Sequence, residues 1–191
     1  MLIPRPETEL LVELALEHAP HGARVLDLGT GSGAIAIALA HSRPDLQLTA
    51  LDSSAAALGI AQQNAIRNLP AQAVPFLHSV WYCARTADHQ FDLIISNPPY
   101  IVAGDIHLHQ GDLRFEPIGA LTDHADGLSA LRTIVKGAAA HLGAGGWLLL
   151  EHGYDQSAAV RKLLIAAGYR QVQSWRDLAG IERASGGVRL A

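Results

Sequence analysis

Short apolar runs alternate along the chain with stretches whose apolar positions repeat about every 3.6 residues. Over 7–18, Leu10, Leu11, Leu14 and Leu16 fall on one side at helical spacing while the acids gather on the other. Pro6 suits the first helical position, and Glu7 and Glu9 suit the positive end of the helix dipole. Residues 24–28 then read as a short strand, 29–33 as a glycine loop, and 34–41, apolar nearly all round, as a helix buried against a sheet. A second strand, 48–52, ends in an acid and leads into a helix running to about Arg67. Residues 74–78 look like an edge strand, the one place in a sheet where Pro75 is tolerated. The apolar run 91–96 reads as a buried strand stopped abruptly by Asn97, Pro98 and Pro99. Downstream, an amphipathic helix over 128–142 is stopped by Gly143, Gly145 and Gly146. Beyond it lie a central strand at 147–152, a helix at 158–167, a strand at 171–175 and a last short strand at 187–190. This alternation predicts an α/β fold built on a doubly wound, mostly parallel sheet. The segment 101–123 is too long and polar for a plain connector, and is expected to form a lid over the substrate.

Composition narrows the class of protein. At 191 residues the chain is expected to form one domain with a single core, and 49% hydrophobic against 17% charged residues excludes a disordered chain. A net charge of −4 provides no broad basic face, so nucleic acid is not an expected partner. No apolar run approaches the roughly 18 residues of a membrane span, and the first residues lack the basic-then-apolar order of a secretory leader. A cytoplasmic protein with no membrane partner is the expectation. Cys83 is the only cysteine, which rules out an internal disulfide. His107 and His109 form a pair with no cysteine nearby, and no metal is expected.

Candidate chemistry sits at the strand ends. The loop of Gly29, Thr30, Gly31, Ser32 and Gly33 follows a strand and opens a helix, which lets backbone approach a nucleotide-like ligand. Its Gly-x-Gly-x-Gly spacing departs from the dinucleotide fingerprint and fits a nucleoside ligand without phosphates, such as S-adenosyl-L-methionine. Asp52 stands at about the 20-residue offset at which an acid on the second strand tip grips ribose hydroxyls, although the same side chain could cap the helix that follows. Trp81, in the loop after the third strand, either flanks an adenine or packs on its own turn. At the fourth strand end, two prolines fix φ and withhold two backbone donors. What remains is a rigid cluster of acceptors, the Asn97 side-chain oxygen and the carbonyls beside it, suited to a planar NH2 group of a carboxamide or of a nucleobase. Tyr100 adds an aromatic face for such a group. An isolated Asn-Pro-Pro is simply a turn; here the upstream loop and acid predict a partner for it.

Taken together, these blocks resemble the amino-methylating class of S-adenosyl-L-methionine-dependent methyltransferases, a Rossmann-like class I fold with a seven-stranded sheet. The Arg5-Pro6-Glu7-Thr8-Glu9 block, the glycine loop with the strand before it, Asn97-Pro98-Pro99-Tyr100, Arg114-Phe115-Glu116-Pro117 and Leu149-Leu150-Glu151-His152-Gly153 are similar, in order, to blocks of the HemK/PrmC-type release-factor glutamine methyltransferases. The resemblance implies a protein-(glutamine-N5) methyltransferase that modifies the glutamine side-chain amide nitrogen in the Gly-Gly-Gln loop of peptide chain release factors. It implies cofactor-binding residues at Gly29, Thr30, Gly31, Ser32, Gly33, Asp52, Trp81 and Asn97. It also implies catalytic residues at Asn97, Pro98 and Tyr100, and a substrate site at Asn97, Pro98, Pro99 and Tyr100. The likeness departs at Val80, where the family usually carries an acid, which implies one polar contact fewer beside the adenine. It begins at the Arg5 block, so residues 1–191 are expected to be one catalytic domain without the family's small N-terminal helical domain. Two rival readings stand beside it. An N6-adenine nucleic-acid methyltransferase would use the same two N–H groups and a flipped base for Tyr100 to stack on, and the other rival is a cofactor-binding module without catalysis.

Overall fold

Strands that are apolar on both faces need cover on both faces, and helices supply it. The computed structural model describes residues 5, 7–69, 74–83, 90–105, 115 and 117–190. Its strands are β1 (Arg24–Leu28), β2 (Gln47–Asp52), β3 (Phe76–His78), β4 (Phe91–Ser96), β5 (Leu142–Glu151), β6 (Arg170–Arg176) and β7 (Glu182–Val188). They form a seven-stranded sheet in the order β3-β2-β1-β4-β5-β7-β6. The run from β3 to β5 is parallel, and β7 lies antiparallel between β5 and β6. The helices are α1 (Glu7–His18), α2 (Ala34–Ser42), α3 (Ala55–Asn68), α4 (Ser129–His141) and α5 (Ser157–Ala166).

Alternation along each strand divides the core in two. Val25, Leu93, Ile95 and Leu149 point to the side where α1 brings Leu11 and Leu14 and α2 brings Ala36 and Leu39. Leu26, Leu28, Ile94, Leu148 and Leu150 point to the other side, against Leu131, Ile134 and Val135 of α4 and Val160 and Leu164 of α5. The result is the three-layer, doubly wound α/β sheet that the sequence predicts.

Register sets the position of everything that follows. Leu28 pairs with Leu51 on one side and Ser96 on the other, and Ser96 pairs with Leu150. The next residues along these strands, Asp52, Gly29, Asn97 and Glu151, therefore come side by side at the carboxyl edge. The strand order reverses there, between β1 and β4, which is where open α/β sheets hold ligands. Ser96 fixes this alignment from beneath, since its Oγ donates to the Leu28 carbonyl at 2.7 Å.

Three predicted elements differ in extent. Pro75 lies just outside β3, with its carbonyl accepting from the Ala50 N–H at 2.9 Å. β5 begins at Leu142, so Gly143, Gly145 and Gly146 lie in the strand rather than ending a helix; the register shift between Phe91 and Leu93 lets β4 follow it. The last strand covers Glu182–Val188, although its Ser-Gly-Gly centre carries no apolar alternation. Gly186 has to be small, because a Cβ there would lie 2.6 Å from the Leu148 carbonyl oxygen and 2.7 Å from a Leu149 methyl.

Gly33 is similarly constrained. It enters α2 at φ 81°, and a Cβ would stand 3.0 Å from Ile37 Cδ1 and 3.1 Å from Ala61 Cβ. Gly33→Ala should cost about 1–3 kcal/mol of stability, from left-handed backbone strain plus the contact with α3, and chemical denaturation measures it.

Candidate active site

β1 ends in a loop that turns on glycines at φ 73° (Gly29) and 57° (Gly31). The N–H groups of Gly29 and Thr30 both donate to the Leu51 carbonyl at 2.9 Å, which ties the loop to β2. Beneath it the Thr30 hydroxyl donates to Asp27 Oδ2 at 2.6 Å. Asp52, half-buried at the end of β2, accepts from the Gly31 N–H through Oδ2 and from the Ser54 N–H through Oδ1, each at 2.8 Å. The α3 cap belongs to Ser54, whose side chain accepts from the Ala57 N–H at 3.2 Å. A carboxylate offers about four lone-pair sites, so Asp52 keeps acceptor capacity for hydroxyl donors.

Trp81 opens a short 3-10 turn, Trp81–Cys83, at the left-handed φ of 47°. Its carbonyl accepts from the Ser79 hydroxyl at 3.0 Å, and its ring edge comes within 3.9 Å of where a Gly29 Cβ would stand. Such backbone strain persists where the surroundings enforce it, commonly at a ligand site.

Past β4, Asn97 is half-buried and its Nδ2 donates to the Thr8 hydroxyl oxygen at 3.2 Å. The Thr8 hydroxyl in turn donates to Glu151 Oε2 at 2.8 Å, and the Tyr100 hydroxyl donates to Oε1 at 3.3 Å. Asn97 Oδ1, at the other end of the carboxamide, is buried and has no hydrogen-bond partner among the described residues. Pro98 is buried, and its carbonyl takes no hydrogen bond from the described residues. The Tyr100 carbonyl accepts from Gln156 Nε2 at 2.9 Å, and the same amide nitrogen holds the Gly127 carbonyl at 3.2 Å.

These elements surround one cavity of about 410 Å³. Gly29, Thr30, Gly31, Ser32, Asp52, Trp81, Asn97 and Pro99 all reach its wall. Gly33, Pro98 and Tyr100 stand behind that wall: Gly33 turns into α2, and Tyr100 packs on the α4–α5 side of the core with its hydroxyl on Glu151. No local pattern in the sequence singles out Thr8 or Ser79, which also belong to the wall; Val80, the position at which the likeness departs, stands there too. Of the predicted lid, Pro117, Gly119 and Ala120 contribute to the wall and Phe115 is largely exposed. His107, His109, Arg114 and Glu116 lie outside the described residues. No helix among the described residues is long and apolar enough to cross a membrane, and no cluster of three or more metal-ligating side chains occurs among them.

Two buried carboxyls border the site. Burial pushes Asp27 up to about 7, against the Thr30 hydrogen bond that lowers it. Burial likewise pushes Glu151 up to about 7, opposed by the hydrogen bonds from Thr8 and Tyr100. Each binds its proton more tightly in the folded than in the unfolded chain, so folding stability falls as pH rises from the ordinary 3.8 and 4.5 through about 7 and levels off above. Within that window each group contributes a slope of up to about 1.4 kcal/mol per pH unit. Chemical denaturation at a series of pH values should show this fall, with a smaller slope in Asp27→Asn whatever its absolute stability.

More than half of the chain, residues 6–112, matches the family model described as the methyltransferase small domain. That stretch carries the glycine loop, Asp52 and Asn97, so fold and site together define an S-adenosyl-L-methionine-dependent methyltransferase. Named relatives narrow the class. The release factor glutamine methyltransferase of Burkholderia pseudomallei is 59% identical over 98% of this chain and 68% of its own length. That of Escherichia coli is 48% identical over 96% of this chain and 66% of its length, so the chain spans about two thirds of such relatives. Among solved structures, the release factor-specific protein-(glutamine-N5) methyltransferase of Alicyclobacillus acidocaldarius superposes with a TM-score of 0.59 at 32% identity, covering 99% of this chain and 95% of that one. A methyltransferase of Pyrococcus furiosus, 20% identical with a TM-score of 0.73, covers 100% of this chain and 85% of its own and shares the fold. The chain belongs to the release factor glutamine methyltransferase family.

Proposed function

We propose that this chain methylates the side-chain amide nitrogen of the glutamine in the Gly-Gly-Gln motif of peptide chain release factors, and that residues 1–191 act as one catalytic domain. The observation that carries the reading is the Asn97 carboxamide: its nitrogen is bound to Thr8, and its buried oxygen is left as an unpartnered acceptor on a residue of the cavity wall. A buried polar atom without a partner has lost its hydration, and a donor from outside the chain would restore the missing bond.

The residues of the wall fit S-adenosyl-L-methionine. Backbone at Gly29 and Gly31 has no side chain to keep a ligand away, Asp52 keeps lone pairs for ribose hydroxyls, and the Trp81 ring stands in the wall beside the glycine loop. When bound, the cofactor supplies an electrophilic methyl group on a sulfonium. The chain has to make the amide nitrogen a usable nucleophile, because its lone pair is delocalised into the carbonyl. Asn97 Oδ1 would accept one N–H of the substrate amide, and the unbonded Pro98 carbonyl, which stands behind the wall, would have to move up to it to accept the other; the pair would then fix the amide's plane and stabilise positive charge developing on nitrogen. A donor group at either position would repel the NH2. Val80, 55% exposed beside Trp81, presents no polar atom of its side chain to an adenine. The reading carries with it a cytoplasmic protein and a protein substrate.

Mass spectrometry of a Gly-Gly-Gln-containing release factor after incubation with the protein and cofactor tests it. One added methyl on the glutamine is expected. Methyl transfer to adenine in DNA or RNA, with none to the release factor, would overturn it.

A further inference from the structure

Glu151 ends an apolar strand, is 2% exposed, and nothing in the chemistry above uses it. Its place comes from register: Ser96 pairs with Leu150, so Asn97 and Glu151 leave the sheet edge side by side. Thr8, from the first turn of α1, stands between them at 3.2 Å from Asn97 Nδ2 and 2.8 Å from Glu151 Oε2.

The direction of each bond follows from what the groups can do. An ionised carboxylate only accepts, and a threonine hydroxyl has a single hydrogen to give. With that hydrogen on Glu151, the Thr8 oxygen can only accept, and Asn97 must present its NH2 end to Thr8. We infer that Glu151 is a positioning residue: acting through Thr8, it dictates that Asn97 turns its oxygen, and not its nitrogen, to the incoming substrate amide. The inference rests on the methyl-transfer reading given above and extends it to a residue that does not reach the cavity wall.

Protonation reverses the chain of bonds. A neutral Glu151 carboxyl can donate to the Thr8 oxygen, which frees the Thr8 hydrogen for Asn97 Oδ1. A half-turn of the carboxamide then sets Nδ2 against a substrate that itself brings N–H groups. The titratable and charged groups bearing on Glu151 are Glu7 of α1, Tyr100 after β4 and Arg183 of β7. Burial outweighs the two hydrogen bonds and Arg183, and holds the carboxyl near 7. The productive arrangement is therefore lost as pH falls through that value.

Thr8→Val removes the hydroxyl at nearly constant shape, Thr8→Ser restores it, and Glu151→Gln replaces the pure acceptor with a group that can also donate. Thr8→Val and Glu151→Gln are expected to lower kcat/KM for release factor about tenfold, with the calorimetric Kd for S-adenosyl-L-methionine changed less than twofold. Thr8→Ser should regain most of the loss. Wild-type kcat/KM should fall below pH 7, and Glu151→Gln should lack that limb. In 15N-labelled protein without cofactor, the side-chain amide signals of Asn97 should shift with pH near 7 in the wild type and stay fixed in Glu151→Gln. Should Glu151→Gln fail to fold, the Thr8 pair still decides. Thr8→Val turning over like the wild type, or Asn97 signals indifferent to pH in the wild type, would overturn the inference while leaving the proposed reaction standing. A wild-type protein that modifies no release factor would instead overturn the reaction itself.

Discussion

Replacing Asn97 with alanine is expected to lower kcat by roughly 10²–10³-fold, the range found when one preorganised hydrogen-bonding group is taken from a reacting centre. The size follows from what the side chain does. Its oxygen is already stripped of water, and the contact of its nitrogen with Thr8 holds the carboxamide in place before the substrate arrives. Alanine leaves the Pro98 carbonyl as a single acceptor, and one acceptor does not fix the plane of an amide. Cofactor affinity should change less than a few-fold, because the Gly29–Gly33 loop and Asp52 are bonded to one another independently of Asn97. Single-turnover kinetics at saturating cofactor, alongside calorimetry, separate the two effects. Near-normal turnover in Asn97→Ala would count against the proposed chemistry.

Asp52→Ala should show the opposite profile, a Kd for S-adenosyl-L-methionine raised roughly 10–100-fold with kcat at saturating cofactor within about threefold. Hydrogen bonds to a charged group contribute about 1.5–3 kcal/mol each. The carboxylate also holds the Gly31 and Ser54 N–H groups, so its loss loosens the glycine loop and the approach to α3 together. Asp52→Asn, which keeps one acceptor oxygen, should lie between the two. An unchanged dissociation constant in Asp52→Ala would refute ribose recognition by this side chain.

The contrast between these variants reflects what the sequence could disclose. The glycine loop, Asp52 and Asn97 were legible because each sits at the end of a local strand signal, and strand-loop-helix order places such ends on one edge of a parallel sheet. Thr8 and Glu151 lie 143 residues apart and meet only through tertiary packing, so no local pattern pairs them. Two signals were available: each residue falls in a block that carries the family resemblance, and Glu151 is an acid closing the apolar run Trp147 to Leu150. In the sequence Tyr100 looks like an aromatic face for the substrate amide; the structure shows its hydroxyl on Glu151 and its ring packed on the α4–α5 side of the core. The boundaries of β5 and β7 escaped for a different reason. Their glycines are there for close backbone packing across the sheet, and in a linear reading the same residues signal a break.

Ser96 has one further implication. Neighbouring residues of a strand face opposite ways, so sliding β4 along β1 by a single position would send the Asn97 carboxamide toward the far helices and bring a hydroxyl into its place. The buried Ser96 bond to Leu28 acts as an indexing pin against that slip, on a residue with no chemistry of its own to perform. Accuracy in methyl delivery is thus inherited in part from the lattice of the sheet.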